Sequence, residues 1–456
     1  MTDNTVIDQH EDGLKPGFIL SVVDAVDRGN GPAVRRLLKD LRPADLAELM
    51  EVMRPQDLRP LVEMLGADFN KEVLSELDEA IRDDIIAMLE PEDLAAAVQE
   101  MDSDDAVYVL EDMDEREQRE VLNQIPAEDR AALEQSLDYP EDSAGRMMQR
   151  KLVAVPPFWD VGQTIDYMRE AQELPDEFYE IFVVDPAYRP LGTVALAKIM
   201  RTKRPVKVSD IMAEEQSLIP VTMDREHVAL QFTKYDLISA AVVDENDRLV
   251  GVITVDDIVE VISDEADEDI LRLGGVGEES ISDTVVETTQ SRFSWLFVNL
   301  LTAILASGVI AFFGGTIEEM VALAILMPIV ASMGGNAGTQ TMTVAVRALA
   351  TRDLVPLNAS RVMTREVLVG FLNGLIFAVL MGIVGGLWFQ NVELGLVLAS
   401  AMIINMVVAG FAGIAIPLGL DRAGVDPAIA SGVFLTTVTD VVGFFVFLGL
   451  AALVLL

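Results

Sequence analysis

Two places in the C-terminal third carry residue types that can hold a cation in apolar surroundings. The first is Pro328–Arg352, PIVASMGGNAGTQTMTVAVRALATR. There an apolar run meets Gly334-Gly335-Asn336-Ala337-Gly338 and resumes as a helix-like run ending in arginines. Glycines lower helix propensity, so the expectation is a break that frees backbone carbonyls, with Asn336 adding a neutral oxygen. Freed carbonyls in a bilayer persist only where protein buries them or a wet cavity reaches them. The second place is Asp440, in Thr436-Thr437-Val438-Thr439-Asp440-Val441-Val442-Gly443, about midway along the last apolar segment. A carboxylate there is costly unless it is hydrated, paired or ion-bound. Most of the neighbouring threonines are expected to bond their own helix backbone. The glycines also suit close helix packing, and Asn405, mid-span in the fourth apolar segment, reads as an interhelical hydrogen-bonding residue.

The chain has no Cys and only two His, His10 and His227. Thiolate chemistry and the usual zinc sites are thereby excluded or nearly so, and a bound metal is a hard cation held by oxygen, such as Mg²⁺, Ca²⁺ or Mn²⁺. One carboxylate is few ligands for Mg²⁺, which takes an octahedral set of oxygens and keeps several waters. A homodimer would bring two copies of Asp440 to one axis, with carbonyls and Asn336 facing the hydrated ion.

These residues sit in a run of five apolar segments: roughly 293–313, 321–350, 367–389, 394–418 and 428–456. Each is long enough to cross a bilayer as a helix. Arg292 precedes the first. Arg347, Arg352, Arg361 and Arg365 crowd the second loop, and Arg422 lies in the fourth, whereas the first and third loops have no basic residue. This bias expects a cytoplasmic N-terminus and an outward C-terminus. Residues 1–10 have no basic stretch followed by an apolar run, so no secretory signal is expected there. Glu318 and Glu319 fall in the first, outward loop.

The preceding 292 residues are acidic. They hold 28 Lys/Arg and 67 Asp/Glu, which accounts for −39 of the net charge of −42. Such a surface repels phosphate, so nucleic acid is excluded as a partner, and it attracts cations. Residues 1–14 read as a disordered tail. Residues 15–137 read as an acidic helical N-domain, in which from about Leu41 a helix-start pattern recurs at offsets of 12 or a multiple, the last one residue shorter: Arg42-Pro43-Ala44-Asp45-Leu46, Arg54-Pro55-Gln56-Asp57-Leu58, Glu90-Pro91-Glu92-Asp93-Leu94, with weaker copies near 102, 114 and 125. Two-turn helices need stacking, which suggests a solenoid-like domain.

Residues 138–262 alternate strands and helices in two related halves. The second ends in Gly251-x-x-Thr254-x-x-Asp257, while the first has Gly192 followed by Ala195 and Lys198. This is similar to a tandem CBS pair, a fold that often binds adenine nucleotides. Gly251 and Thr254 match its ribose-binding signature, so ATP is an expected ligand there. The acidic run Ser263–Asp269 and apolar residues at helical spacing open a linking helix in residues 263–292, ended by Gly274-Gly275.

Met333-Gly-Gly-Asn-Ala-Gly-Thr-Gln340, Arg347-Ala-Leu-Ala-Thr-Arg-Asp353, Gly424-Val-Asp-Pro427 and Thr439-Asp440-Val-x-Gly443, with this domain order, resemble the MgtE family of magnesium channels. The resemblance implies an α-helical N-domain, an α+β CBS pair, a plug helix and a five-span all-α transmembrane domain (293–456). It implies a homodimeric, Mg²⁺-selective channel in the cytoplasmic membrane, in contact with membrane lipid. Gly334, Gly335, Asn336 and Asp440 would line its pore. Cytosolic Mg²⁺ would close it by binding Glu92, Asp224, Glu226, Asp236, Asp257, Glu260, Glu265, Glu268 and Asp269. One family acid falls on Ala96 here, with Glu100 as the nearest substitute. Asp257 is claimed by both the ribose and the metal readings. Two other readings stand beside this one: a coupled exchanger using H⁺ or Na⁺, and a membrane-anchored nucleotide sensor. No Walker lysine motif, nucleophile with a base, or thiol is present, so the chain is not expected to be an enzyme.

Overall fold

A computed structural model describes residues 13–171, 174–175, 177–277, 279 and 284–455. Residues 1–12 of the expected tail, with His10, lie outside the described residues. The chain divides into two compact units, residues 1–264 and 265–456.

The first unit opens with α1 (Pro16–Asp27), α2 (Gly31–Leu38), α3 (Pro43–Val52), α4 (Pro55–Leu65), α5 (Glu79–Ile86), α6 (Pro91–Glu100), α7 (Ser103–Glu111), α8 (Glu115–Leu122) and α9 (Ala127–Leu137). From α2 onward every helix starts on one 12-residue register. The register point at 67 is taken by a short 3₁₀ turn, Gly66–Asp68, after Gly66 adopts a positive φ of 53° at the end of α4. Proline at the first helical position and acids in the first turn start α3, α4 and α6. Helices of two to three turns are unstable alone, so stability comes from packing their apolar faces. Leu49, Met50, Leu61, Leu74, Ile85, Val109 and Leu110 are all fully buried in that shared core. Leu14 is buried too, and its N–H donates to Glu48 Oε1 at 3.0 Å, so order begins before the boundary expected at 15.

Two sheets follow, each of three strands. In the first, β1 (Ala154–Val155) pairs in parallel with β2 (Glu180–Val184), which pairs antiparallel with β3 (Pro190–Ala195). In the second, β4 (Leu218–Pro220), β5 (Ser239–Val243) and β6 (Leu249–Thr254) repeat that arrangement, including the irregularity near the end of the middle strand. Helices α10 (Val161–Glu170), α11 (Leu196–Arg201) and α12 (Arg225–Tyr235) complete the two halves.

Helix α13 (Val255–Leu273) starts directly after β6. The boundary drawn at 262/263 therefore falls inside one continuous helix. Its end is the expected glycine stop: Gly275 has φ 72°, its N–H bonds Arg272 O at 3.0 Å, and the Val276 N–H bonds Leu271 O at 3.0 Å.

The second unit holds α14 (Val285–Phe312), the short α15 (Gly314–Glu319), α16 (Ala322–Ala350), α17 (Ala359–Trp388), α18 (Val392–Arg422) and α19 (Pro427–Val454). Five of these are long and apolar enough to cross a membrane. Helix α18 packs against α16, α17 and α19 and is the most buried of the five spans, whereas α14 packs mainly along α19 and is almost wholly exposed.

One expectation is overturned. Helix α16 runs unbroken from 322 to 350 through Gly334, Gly335, Asn336, Ala337 and Gly338, so no carbonyls are freed by a break there. Inside an apolar bundle, leaving backbone groups unpaired costs more than glycine's weak helix propensity. The glycines serve close approach instead. A Cβ on Gly338 would lie 2.8 Å from Leu435 Cδ1, and one on Gly334 only 2.1 Å from Asn405 Nδ2.

Candidate cation sites in the helical bundle and the acidic cleft

The seam between α16 and α19 brings the two expected sites together. Gly334 and Gly443 both flank Asn405, Gly335 faces Thr439, and Gly338 faces Leu435. Numbering rises along one helix as it falls along the other, so the two run antiparallel. Asn336 and Asp440 each follow a residue of that seam. Asn336 is exposed and its Nδ2 donates to Ser332 Oγ at 3.4 Å, while Asp440 is half-buried. Ser332, Asn336, Thr339, Gln340 and Thr343 are all exposed. Their spacing puts them on one face of α16, a polar stripe on a helix that otherwise reads as a membrane span.

The threonines of α19 bond their own backbone, as the sequence suggested. Thr436 donates to Gly432 O at 2.9 Å, Thr437 to Val433 O at 2.7 Å and Thr439 to Leu435 O at 3.0 Å. Asn405 makes the expected interhelical bond, from Nδ2 to Val330 O at 2.9 Å. A second carboxylate was passed over. Glu366 of α17 is nearly buried and accepts from Thr341 Oγ1 of α16 at 3.4 Å. Its place beside the basic loop hid it among interface charges.

The first unit carries a cleft of about 510 Å³ between α7, the loop before α5, and α13. Ten carboxylates line it: Glu76, Asp78, Glu79, Asp104, Asp105, Glu111, Asp142, Asp257, Glu260 and Asp264. Only two arginines accompany them. Arg146 pairs with Glu111 at 3.0 Å and Arg225 with Asp142 at 3.1 Å. Burial, then the like charges of Asp102, Asp257, Glu260 and Glu76, pushes the Asp105 carboxyl up to about 7. Burial raises Asp257 to about 6 against the pull of its bond from Thr254. Burial and Asp257 hold Asp104 well above the usual carboxylate range, and one of its oxygens is buried with no hydrogen-bond partner among the described residues. These groups favour a neutralising partner, and oxygen donors alone select a hard cation.

A family model for a divalent cation transporter matches residues 327–450, one for the MgtE intracellular N domain matches 41–142, and one for a CBS domain matches 208–264. The chain is 32% identical over 315 residues to the magnesium transporter MgtE of Bacillus subtilis, covering 69% of this chain and 70% of that protein. It is 35% identical over 324 residues to that of Thermus thermophilus, covering 70% and 71%. The chain belongs to the MgtE family. A solved structure of the cytosolic domain of the Mg²⁺ channel MgtE, in complex with ATP, aligns over 53% of this chain and 99% of its own, at 28% identity and a TM-score of 0.50. The CBS model matches only the second half, yet β1–β3 repeat the topology of β4–β6.

Set in this MgtE chain, the expected sensor residues fall into separate places. Asp257 and Glu260 line the cleft. Glu92 does not: it is exposed in the first turn of α6 and lies outside the cleft lining, as do Ala96 and Glu100. The N-domain acids that face α13 come from α7 and from the segment that leads into α5, and sequence reasoning missed them. Asp104 and Asp105 looked like ordinary first-turn acids of a helix start. Asp224 caps α12 by accepting from the Glu226 N–H at 3.0 Å, and it groups with Glu226 and His227, whose ligand atoms all lie within 4.8 Å of one another. His227 was also missed, although Asp-x-Glu-His at a helix start puts these residues in one turn. Asp236 closes α12 with a left-handed φ of 51° and joins neither group. Glu265, Glu268 and Asp269 lie on the last turns of α13. Glu268 pairs with Arg272, which reaches Asp426 Oδ2 at 2.7 Å. Burial, followed by Asp426 and Glu265, raises Asp269.

The ribose signature is spent internally. Thr254 Oγ1 donates to Asp257 Oδ2 at 2.9 Å. Gly251 is needed for close approach, since a Cβ there would meet Met148 Sδ at 2.6 Å. Glu180 accepts from Ser239 Oγ of the other sheet at 2.8 Å and from Thr193 Oγ1 of its own sheet at 3.3 Å.

Proposed function

We propose that this MgtE chain forms a Mg²⁺-selective homodimeric channel that imports Mg²⁺ across the cytoplasmic membrane and is closed by cytosolic Mg²⁺. The observation that carries it is the exposed polar stripe of α16 beside Asp440. Amides, hydroxyls and a carboxylate on the outside of apolar helices are costly against lipid. A second copy and a water-filled path between the copies would cover them. Asn336 and Asp440 then meet a hydrated cation from both subunits, with Gly334 and Gly335 allowing the approach. Asp440 supplies charge, and the neutral oxygens contact the ion through its waters. The C-terminus is outward and the acidic unit cytoplasmic, as the loop charges favour.

Closure is assigned to the acidic unit. With the cleft ionised, its carboxylates repel one another and favour separation of α7 from α13. A cation that binds only the compact arrangement shifts the balance toward it. Asp104, Asp105, Asp257 and Glu260 form this sensor, and Asp224, Glu226, Glu265, Glu268 and Asp269 add sites of the same kind. Glu92 and Asp236 stand apart from both groups. ATP at the CBS pair would use Gly251 and Thr254, but Asp257 is turned to the acidic cleft, and the metal has the better claim on it. Glu366 is the observation that favours a coupled exchanger, since a second intramembrane acid gives a proton somewhere to go. The test is Mg²⁺ flux into liposomes with and without a pH or Na⁺ gradient. A channel is indifferent to those gradients, whereas an exchanger follows them.

A further inference from the structure

Asn405 is fully buried in α18, behind the polar stripe and between the helices that carry Asn336 and Asp440. Its Nδ2 holds the Val330 carbonyl of α16 at 2.9 Å. Its Oδ1 is buried and has no hydrogen-bond partner among the described residues. Both flanking helices make room for it with glycine. A Cβ on Gly334 would lie 2.1 Å from Nδ2 and one on Gly443 would lie 2.8 Å from the same atom. Gly334 is two residues before Asn336, and Gly443 is three after Asp440.

An apolar side chain of similar size would fill this slot without leaving an acceptor unpaired, and a buried unpaired acceptor is destabilising. Filling space therefore does not explain an amide here. What the amide adds is a directional tie: it fixes the height and rotation of α16 while its flanks set how near α19 can come. We propose that Asn405 is a positioning residue for permeation, setting the spacing of Asn336 and Asp440 across the α16–α19 seam. This rests on the pore reading above. The bond to Val330 prevents α16 from sliding, and the two glycines make the spacing specific to an amide-sized wedge. A charged or longer side chain would force the seam apart, and a shorter one would let it collapse.

The experiment uses the full chain in planar bilayers, reading unitary conductance and the Mg²⁺/Ca²⁺ permeability ratio beside thermal melting and dimer content. N405L is expected to melt at or above the wild-type temperature, because it removes an unpaired acceptor, yet to lose conductance or selectivity by at least about tenfold. G334A is expected to lose both folding and flux. G334A/N405A, in which the new methyl occupies vacated space, is expected to regain melting but not conductance, and it stands in for N405L should that variant not accumulate. Asp440→Ala runs in parallel. Wild-type conductance and selectivity in N405L or in the double variant, with Asp440→Ala silent, overturn the positioning role alone. Wild-type conductance in Asp440→Ala overturns the pore reading beneath it.

Discussion

The acidic cleft of the first unit and the α16–α19 seam of the second both suit a hard cation, and they do so by opposite means. The cleft gathers ten carboxylates against two arginines, and burial and like charges raise Asp104, Asp105 and Asp257 above the usual carboxylate range. The seam has one carboxylate, Asp440, beside amides, hydroxyls and glycines. In a water-accessible cleft, repulsion between like charges is screened enough to be tolerated, so it can be stored and released by a metal. In an apolar bundle the same density of charge would not fold. A sensor can hold its cation tightly, whereas a path must let it leave, and sparse charge with neutral oxygens serves the path.

That contrast can be broken most directly at Asp440. Asp440→Ala should cut Mg²⁺ flux into liposomes by at least about a hundredfold with dimer and melting retained, as removal of a charge used only during permeation implies. Asn336→Ala, a neutral ligand acting through water, should cost about tenfold in the same assay. Next comes the cleft. Asp104→Asn with Asp105→Asn and Asp257→Asn should raise the Mg²⁺ concentration for half-inhibition by about tenfold or more while open-channel flux stays normal, each decade being about 1.4 kcal/mol. Glu92→Gln should leave that concentration unchanged, and a shift as large as the triple variant's would return the sensor to α6.

The pH dependence sharpens the comparison further. The Asp104, Asp105 and Asp257 carboxyls are all raised, so the folded cleft keeps protons that an unfolded chain would have released. The contribution of Asp257 and Asp105 to stability is full below about pH 4 and is lost as pH rises through about 6 and about 7, and Asp104 acts in the same direction. Without divalent cations, the melting temperature of the cytosolic transition should fall by roughly 5 °C between about pH 5 and about pH 8. Mg²⁺ should restore it, with more effect at the higher pH. The smallest effect is expected for Arg272→Ala. Losing its tie to Asp426 should change half-inhibition by about twofold, as a partly exposed ion pair warrants.

Much of the fold was legible because it repeats. The proline-led helix starts of the N-domain, the two strand–helix halves and the Gly274-Gly275 stop each carry a local signal that needs no tertiary information. The glycine cluster in α16 misled for a physical reason. Propensity is a weak term, and the bundle decides whether a glycine breaks a helix or lets another side chain in; Asn405 from α18, far away in sequence, decided it here. The stripe from Ser332 to Thr343 was readable at helical spacing once the helix was taken as continuous. The cleft was not readable. Asp104 and Asp105 carry the same local pattern as any helix start, and only the fold, which places α7 and α13 on one cleft, sets them against Asp257. Glu366 and His227 lay in plain view, each masked by neighbours with a simpler explanation.

The central claim is that one region conducts Mg²⁺ while the other senses it. Single-channel recording from inside-out patches, with Mg²⁺ on the cytoplasmic face stepped from micromolar to about ten millimolar, tests both at once. The account predicts unitary openings at low Mg²⁺ whose probability falls steeply as Mg²⁺ rises, with conductance unchanged. Openings indifferent to Mg²⁺ would contradict the sensor, and flux in liposomes without unitary events would contradict the channel.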